Sequence, residues 1–236
     1  MTNILAIETS TDACSVALYS GGETREIFEI IPRQHSQRLF PMLRELLPNG
    51  NLVEQKIDAI AYACGPGSFT GLRIAASAVQ GLAFANGLPA IAVSTLACQA
   101  QAALRLGDAD SDQSVLSVLD ARINEVYWSV YEYADGLAKL VEGPHVCAPQ
   151  NIKLARLRGT LAGVGGGLSY FDQLPQVLQS ALQKRNEKLL PSAVDLIPQA
   201  LASYAAGEWQ TPAQVLPVYV REEVSWKKLA EQGKGK

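Results

Sequence analysis

The sequence predicts an α/β protein of two related halves, each a mixed β-sheet flanked by helices. Three observations carry that reading. Residues 4–31 run strand-turn-strand-turn-strand, an opening that implies a sheet with an antiparallel portion. The same layout, an apolar strand ending in an acid and then a hairpin, returns over residues 115–133. It puts Ile7-Glu8-Thr9 and Leu119-Asp120-Ala121 at equivalent places. Between them, the apolar strand Ala59–Ala63 enters a glycine-rich turn and then a helix with little polar surface, over Cys64–Ala85.

Residues 4–8 are a short apolar strand followed by the polar turn Thr9–Asp12. Residues 14–19 alternate, Ser20-Gly21-Gly22-Glu23 turns, and 24–31 return as a third strand. His35–Leu47 is predicted as a helix with Leu39, Phe40, Met42, Leu43, Leu46 and Leu47, more apolar positions than one buried face needs. Pro41 is expected to shorten or kink it, and Pro48-Asn49-Gly50 to end it.

After the strand 59–63, Gly65-Pro66-Gly67 favours a tight turn, Ser68 or Thr70 can cap the next helix, and Asn86-Gly87 with Pro89 closes it. On that helix Leu72, Ala76, Val79 and Ala83 form a stripe suited to a sheet, and Gly71, Ala75 and Ala78 a neighbouring ridge of small residues. Arg73, Ser77 and Gln80 make only a narrow polar line. Such a helix needs cover on a second side, from its own chain or from a partner.

A strand over 90–93 and a helix over 95–106 follow, and 107–113, with three aspartates, reads as a boundary. The expected domains are therefore 1–106 and 107–222, with a flexible tail over 223–236. Strands are predicted over 115–119 and 126–133, with a turn at Asp135-Gly136. Gly143–Pro149 reads as a connection, 152–157 as a helical piece, and 161–164 as a strand entering Gly165-Gly166-Gly167. A helix over 192–207, an extended piece over 217–221 and a solvated stretch from Trp226 complete the chain.

The 236 residues are 48% hydrophobic and 18% charged, which excludes a disordered chain. A net charge of -3 leaves no overall basic footprint for nucleic acid. The first residues lack a basic segment and no apolar run approaches the ~20 residues of a membrane span. Cys14, Cys64, Cys98 and Cys147 form no C-x-x-C pair, so reduced thiols and a cytoplasmic location are expected.

Candidate chemistry is sparse. His35 and His145 stand in no metal-ligand motif, and no G-x-S-x-G elbow accompanies Ser36. Gly65–Ser68 before a helix, and the cluster Gly163–Gly167, fit either phosphate binding or close packing in a turn. Glu8 and Asp120 fit either a nucleotide-metal site across two halves or turn formation.

In order along the chain stand Ile4-Leu5-Ala6-Ile7-Glu8-Thr9-Ser10, His35-Ser36 with Leu39 and Pro41, Gly65-Pro66-Gly67-Ser68-Phe69-Thr70-Gly71-Leu72-Arg73, Asp120-Ala121-Arg122 with Glu125-Val126-Tyr127, and Pro217-Val218-Tyr219-Val220-Arg221. Together they resemble the bacterial TsaB (YeaZ) family, over nearly the whole chain. The resemblance implies an actin-like (ASKHA, ribonuclease H-like) fold of two halves. It implies a non-catalytic subunit, without cofactor or metal, that pairs with the catalytic paralogue TsaD and associates with the ATPase TsaE. That assembly transfers threonylcarbamoyl from its adenylate to N6 of adenosine 37 in tRNAs reading codons that begin with A. tRNA is met only through the complex, no membrane is involved, and a homodimer is implied where the partner is absent.

The resemblance places a partner-binding helix bundle at His35, Ser36, Leu39, Leu43, Gly71, Ala75 and Ala78. It leaves Glu8, Thr9, Gly65, Gly67, Asp120, Gly165 and Gly166 as turn residues or vestigial nucleotide contacts. Glu8 stands where the family usually has Asp, and the H-x-x-x-H motif of the catalytic relatives is missing. Lys153, Arg156 and Arg158 read as phosphate contacts within the complex or as a solvated face. The alternatives are a stand-alone kinase or ATPase of the same fold class, or a peptidase.

Overall fold

The computed structural model describes residues 2–47, 52–156 and 160–221. The expected helix stop at Pro48-Asn49-Gly50, Arg158 and the tail from Trp226 lie outside them. Two five-stranded mixed sheets make up the molecule. In the first, β1 (Ile4–Glu8), β2 (Ala13–Ser20) and β3 (Glu23–Ile30) form an antiparallel meander, and β4 (Ala59–Gly65) and β5 (Ala90–Ser94) run parallel to β1, in the order β3-β2-β1-β4-β5. The second comprises β6 (Ser114–Arg122), β7 (Glu125–Ala134), β8 (Leu137–Cys147), β9 (Leu161–Val164) and β10 (Leu182–Asn186). Its order, β10-β9-β6-β7-β8, is the same arrangement strand for strand. This is the duplicated actin-like architecture.

Helices α1 (His35–Leu46) and α2 (Phe69–Asn86) cover one face of the first sheet, where Leu5, Ile7, Leu39, Met42, Ile60, Tyr62 and Val79 form the core. Ser68 caps α2 by accepting the Gly71 N–H, and Gly87, at φ 65°, closes it in the left-handed conformation that glycine tolerates. Pro41 does not shorten or kink α1. The carbonyl that loses its donor belongs to Gln37, which is exposed, so its loss costs little.

Helix α3 (Thr95–Leu106) is buried from Thr95 through Ala103 and joins the two sheets. Gln99 donates to the Leu189 carbonyl (2.9 Å) and accepts from Ser117 (2.9 Å). Gln101 bonds both the Gly136 carbonyl (2.9 Å) and the Ala138 N–H (3.0 Å). Arg105 forks onto buried Asp195 with two bonds of 2.7 Å. Helix α5 (Ile197–Ala205) returns to the other face of the first sheet, so each half helps to cover its neighbour.

Three expectations for the second half need correction. Gly143–Pro149 is no mere connection, because Gly143-Pro144 sits within β8. That edge strand accommodates a proline through register shifts opposite Trp128 and Val130. No helix covers 152–156; a single 3-10 turn, Pro149–Asn151, precedes them. The helix expected over 192–207 is a 3-10 turn, Ala193–Leu196, and then α5, because Pro198 suits only a first helical turn. A 3-10 segment (Gly166–Gln173), the short α4 (Gln176–Ala181) and β10 complete the outer layer of the second sheet, and the last two were not anticipated.

Candidate functional site

Two places could carry function: the strand-end turns between the halves, and the outer surface of α1 and α2. In the turns, the chain's own backbone fills the space. A Cβ on Gly65, at φ 131°, would strike the Val218 carbonyl, and one on Gly67 would come within 2.5 Å of the Ser10 carbonyl. The Ser68 N–H donates to Ser10 O (2.7 Å) and Val218 N–H to Cys64 O (2.7 Å). Thr9 donates its hydroxyl to Gly71 O at 2.8 Å, so the β1–β2 turn lies directly on the first turn of α2. The Ser68 and Gly71 N–H groups at the start of α2 are thus already engaged.

Glu8 is fully buried, and only its Oε1 is satisfied, by the N–H (2.7 Å) and hydroxyl of Ser10; Oε2 has no partner. Burial pushes its pKa up to about 7, against the weaker opposing effect of the Ser10 bonds. Its counterpart Asp120 is partly exposed and accepts from the Arg122 N–H (2.8 Å) and guanidinium (3.1 Å). One acid is sealed in and the other closes a hairpin, so the two do not face a shared open space. Gly165 packs on the Gln99 side chain and the Val118 carbonyl, and Gly167 on Val118 and the Leu119 backbone, whereas Gly166 is unobstructed. These glycines permit close approach of β6 and α3.

An open cleft of about 280 Å³ lies between the halves, with Cys64, Ser94, Tyr131, Lys139 and Gln199 on its walls. Burial pushes the Cys64 thiol up to about 11, far from a reactive thiolate. Nor do His35 and Ser36 form a dyad. His35 turns inward and donates Nε2–H to Ala13 O (3.0 Å), while Ser36 faces solvent. Among the described residues, no group of three or more His, Cys, Asp or Glu side chains is placed to hold a metal, and no helix is long and apolar enough to cross a membrane.

A family model described as "TsaD: tRNA N6-adenosine threonylcarbamoyltransferase" matches residues 27–186. The "tRNA threonylcarbamoyladenosine biosynthesis protein TsaB" of Escherichia coli is 41% identical over 230 residues, which are 96% of this chain and 97% of the relative. The protein of the same name from Haemophilus influenzae is 36% identical over 234 residues, 96% of each chain. The chain belongs to the TsaB family. Among solved structures, YeaZ from Pseudomonas aeruginosa superposes with a TM-score of 0.86 at 42% identity, over 93% of this chain and 100% of that one.

The residues expected at the partner face from the TsaB resemblance differ in exposure. His35, Leu39, Leu43, Gly71, Ala75 and Ala78 are all buried within this chain, and of the seven named residues only Ser36 is exposed. The second side of α2 is covered by α1 and by the Thr211–Val215 segment, whose Val215 joins the same core. What α2 leaves open is the line Thr70, Arg73, Ser77, Gln80, Gly81 and Phe84; α1 adds Ser36, Gln37, Phe40 and Arg44. Phe40 and Phe84 are 47% and 81% exposed. The narrow polar line of Arg73, Ser77 and Gln80 was visible in the sequence, and Phe40 stood among the apolar positions in excess of one buried face.

Proposed function

We propose that this chain is the non-catalytic scaffold subunit of the assembly that transfers threonylcarbamoyl from threonylcarbamoyl-adenylate to N6 of an adenosine in tRNA. It pairs with the paralogous transferase TsaD through the exposed face of α1 and α2, and the ATPase TsaE joins the pair. One observation carries the reading. The turns where a nucleotide-binding relative would hold phosphate are packed with Ser10 and Val218 backbone, while two adjacent helices leave an aromatic-bearing face open. The family match supplies the reaction to which such a subunit contributes.

The test is pairing. Ser77→Arg and Phe40→Asp place charges on the open face without touching the core. Together they should weaken the heterodimer by about 2–3 kcal/mol, roughly thirty- to a hundredfold in Kd, with the circular dichroism of the free chain unchanged. Modification of tRNA should fall in parallel. Ala75→Arg, by contrast, should unfold the first half, since Ala75 is fully buried. Full pairing and modification by the Ser77/Phe40 double variant would reject this interface. Steady ATP turnover by the pure chain, lost in a folded Asp120→Ala variant, would reject the scaffold role.

A further inference from the structure

Charge is unevenly distributed along this chain. Residues 151–188 hold six basic side chains (Lys153, Arg156, Arg158, Lys184, Arg185, Lys188) against two acidic ones, Asp172 and Glu187. That stretch is at +4 in a chain of net charge -3, which leaves the remainder at -7. Among its described residues, 152–156 and the 3-10 segment Gly166–Gln173 lie over the outer face of the second sheet, and β10 forms its edge. Ile152, Leu154 and Phe171 pack into the core cluster under the outer face of the second sheet, so the exposed Lys153 and Arg156 stand outside it. From β10, Arg185 lays its guanidinium 3.6 Å from the centroid of the Phe171 ring. Lys184, the next residue along the strand, instead pairs with Asp110 (2.7 Å). Among the described residues Lys153, Arg156, Arg185 and Lys188 form no ion pair. Exposed amides, Asn151, Gln173, Gln176 and Gln183, occupy much of the remaining surface.

We infer that this layer of the C-terminal half docks the sugar-phosphate backbone of RNA. The inference rests on the proposed function, in which the assembly brings tRNA alongside this subunit. Lysine and arginine without carboxylate partners are free to neutralise phosphates and release counterions. A guanidinium held over an aromatic ring and in no ion pair keeps donors available for an unpaired base or a phosphate. Side-chain amides donate to phosphate and 2′-hydroxyl oxygens without adding charge. The net negative remainder turns RNA away from the other faces, so the layer orients as well as attracts.

The test uses the full-length chain assembled with the transferase, with an unmodified tRNA transcript as probe. The triple reversal Lys153→Glu, Arg156→Glu and Arg185→Glu should leave assembly intact and lower tRNA affinity about tenfold or more at low salt. It should also make the log-log salt dependence shallower by roughly two to three, one for each lost phosphate contact. The KM for tRNA should rise with kcat retained. Reversing Arg25 and Arg33, outside this layer, should change affinity by no more than about threefold. Equal affinity and salt dependence for the triple variant and the wild type would overturn the inference alone. So would lost assembly with tRNA binding preserved once the subunits are tethered, which would mark the layer as a dock for an acidic protein. A wild-type chain that neither assembles nor binds tRNA in the mixture would overturn the proposed function and this inference with it.

Discussion

The first sheet carries two long helices, α1 and α2, on the face where the second carries 3-10 turns and the six-residue α4, although both sheets order their strands alike. The strand-end turns differ too. The β1–β2 turn is sealed against α2, with Glu8, Thr9 and Ser10 buried, whereas the β6–β7 turn projects with Ile123 74% exposed. Shared topology fixes where strands and turns lie, and the outer layer decides which of them remain available. The first half has its turn packed internally and leaves the outer line of α1 and α2 exposed; the second leaves a basic, amide-rich layer exposed.

The largest expected effect comes from breaking the seal. At Gly71 an added Cβ would collide with the Thr9 backbone carbonyl, which cannot swing aside as a side-chain end would. Gly71→Ala should therefore destabilise the protein by about 3–4 kcal/mol. Gly81 lies on the same helix with nothing near its missing side chain. There Gly81→Ala should stabilise by about 0.5–1 kcal/mol through helix propensity alone. Denaturant unfolding of the two variants checks the contrast. Similar values for both would mean that the turn and the helix are not in contact in solution.

That contrast also marks the limit of sequence reading. Strands such as 4–8 and 161–164 are legible because continuous apolar runs have no other home, and α3 because Ser94 and Gly107 bracket it. Strand β8 was missed because Gly143-Pro144 reads as a break, and β10 because an edge strand reading LQKRN has no apolar run. For α2, residues such as Gly71, Ala75 and Ala78 suit close packing in either direction. Composition therefore announced a tight contact without saying that this chain supplies it.

The two strand-end acids sharpen the comparison through pH. Folded Glu8 keeps its proton up to about pH 7, whereas the carboxyl's ordinary value is 4.5. Between those values the folded state binds more protons than the unfolded one, so stability falls as pH rises through the window. The whole loss, on the order of 3 kcal/mol, is present above pH 7. Glu8→Gln retains an acceptor for Ser10 and cannot ionise, so its stability should be flatter between pH 4.5 and 7.5, and it should overtake the wild type at the upper end. Parallel slopes for wild type and Glu8→Gln would show that Glu8 has access to water.

The smallest effect concerns the turn that the second half leaves open. Arg122, Ile123 and Asn124 all have positive φ, at 63°, 55° and 57°. Asparagine tolerates this region, but a β-branched residue is strained there by about 1–2 kcal/mol. No residue from Thr9 to Asp12 in the matching turn has positive φ, so the cost falls on the second half. Because Ile123 is 74% exposed, its removal forfeits little burial. Ile123→Gly relieves the strain but gains freedom in the unfolded chain, which offsets part of the benefit. The net stabilisation should be about 0.5–1 kcal/mol, a Tm higher by roughly 1–3 °C for a chain of this length. Ile123→Asn retains more restraint in the unfolded chain and should do at least as well. Asp120 and Arg122 keep their bonds in both variants, so any change reports on position 123 itself. A lower Tm in both would mean that the isoleucine side chain makes stabilising contacts despite its exposure, and that the turn is not the strained counterpart of the sealed one.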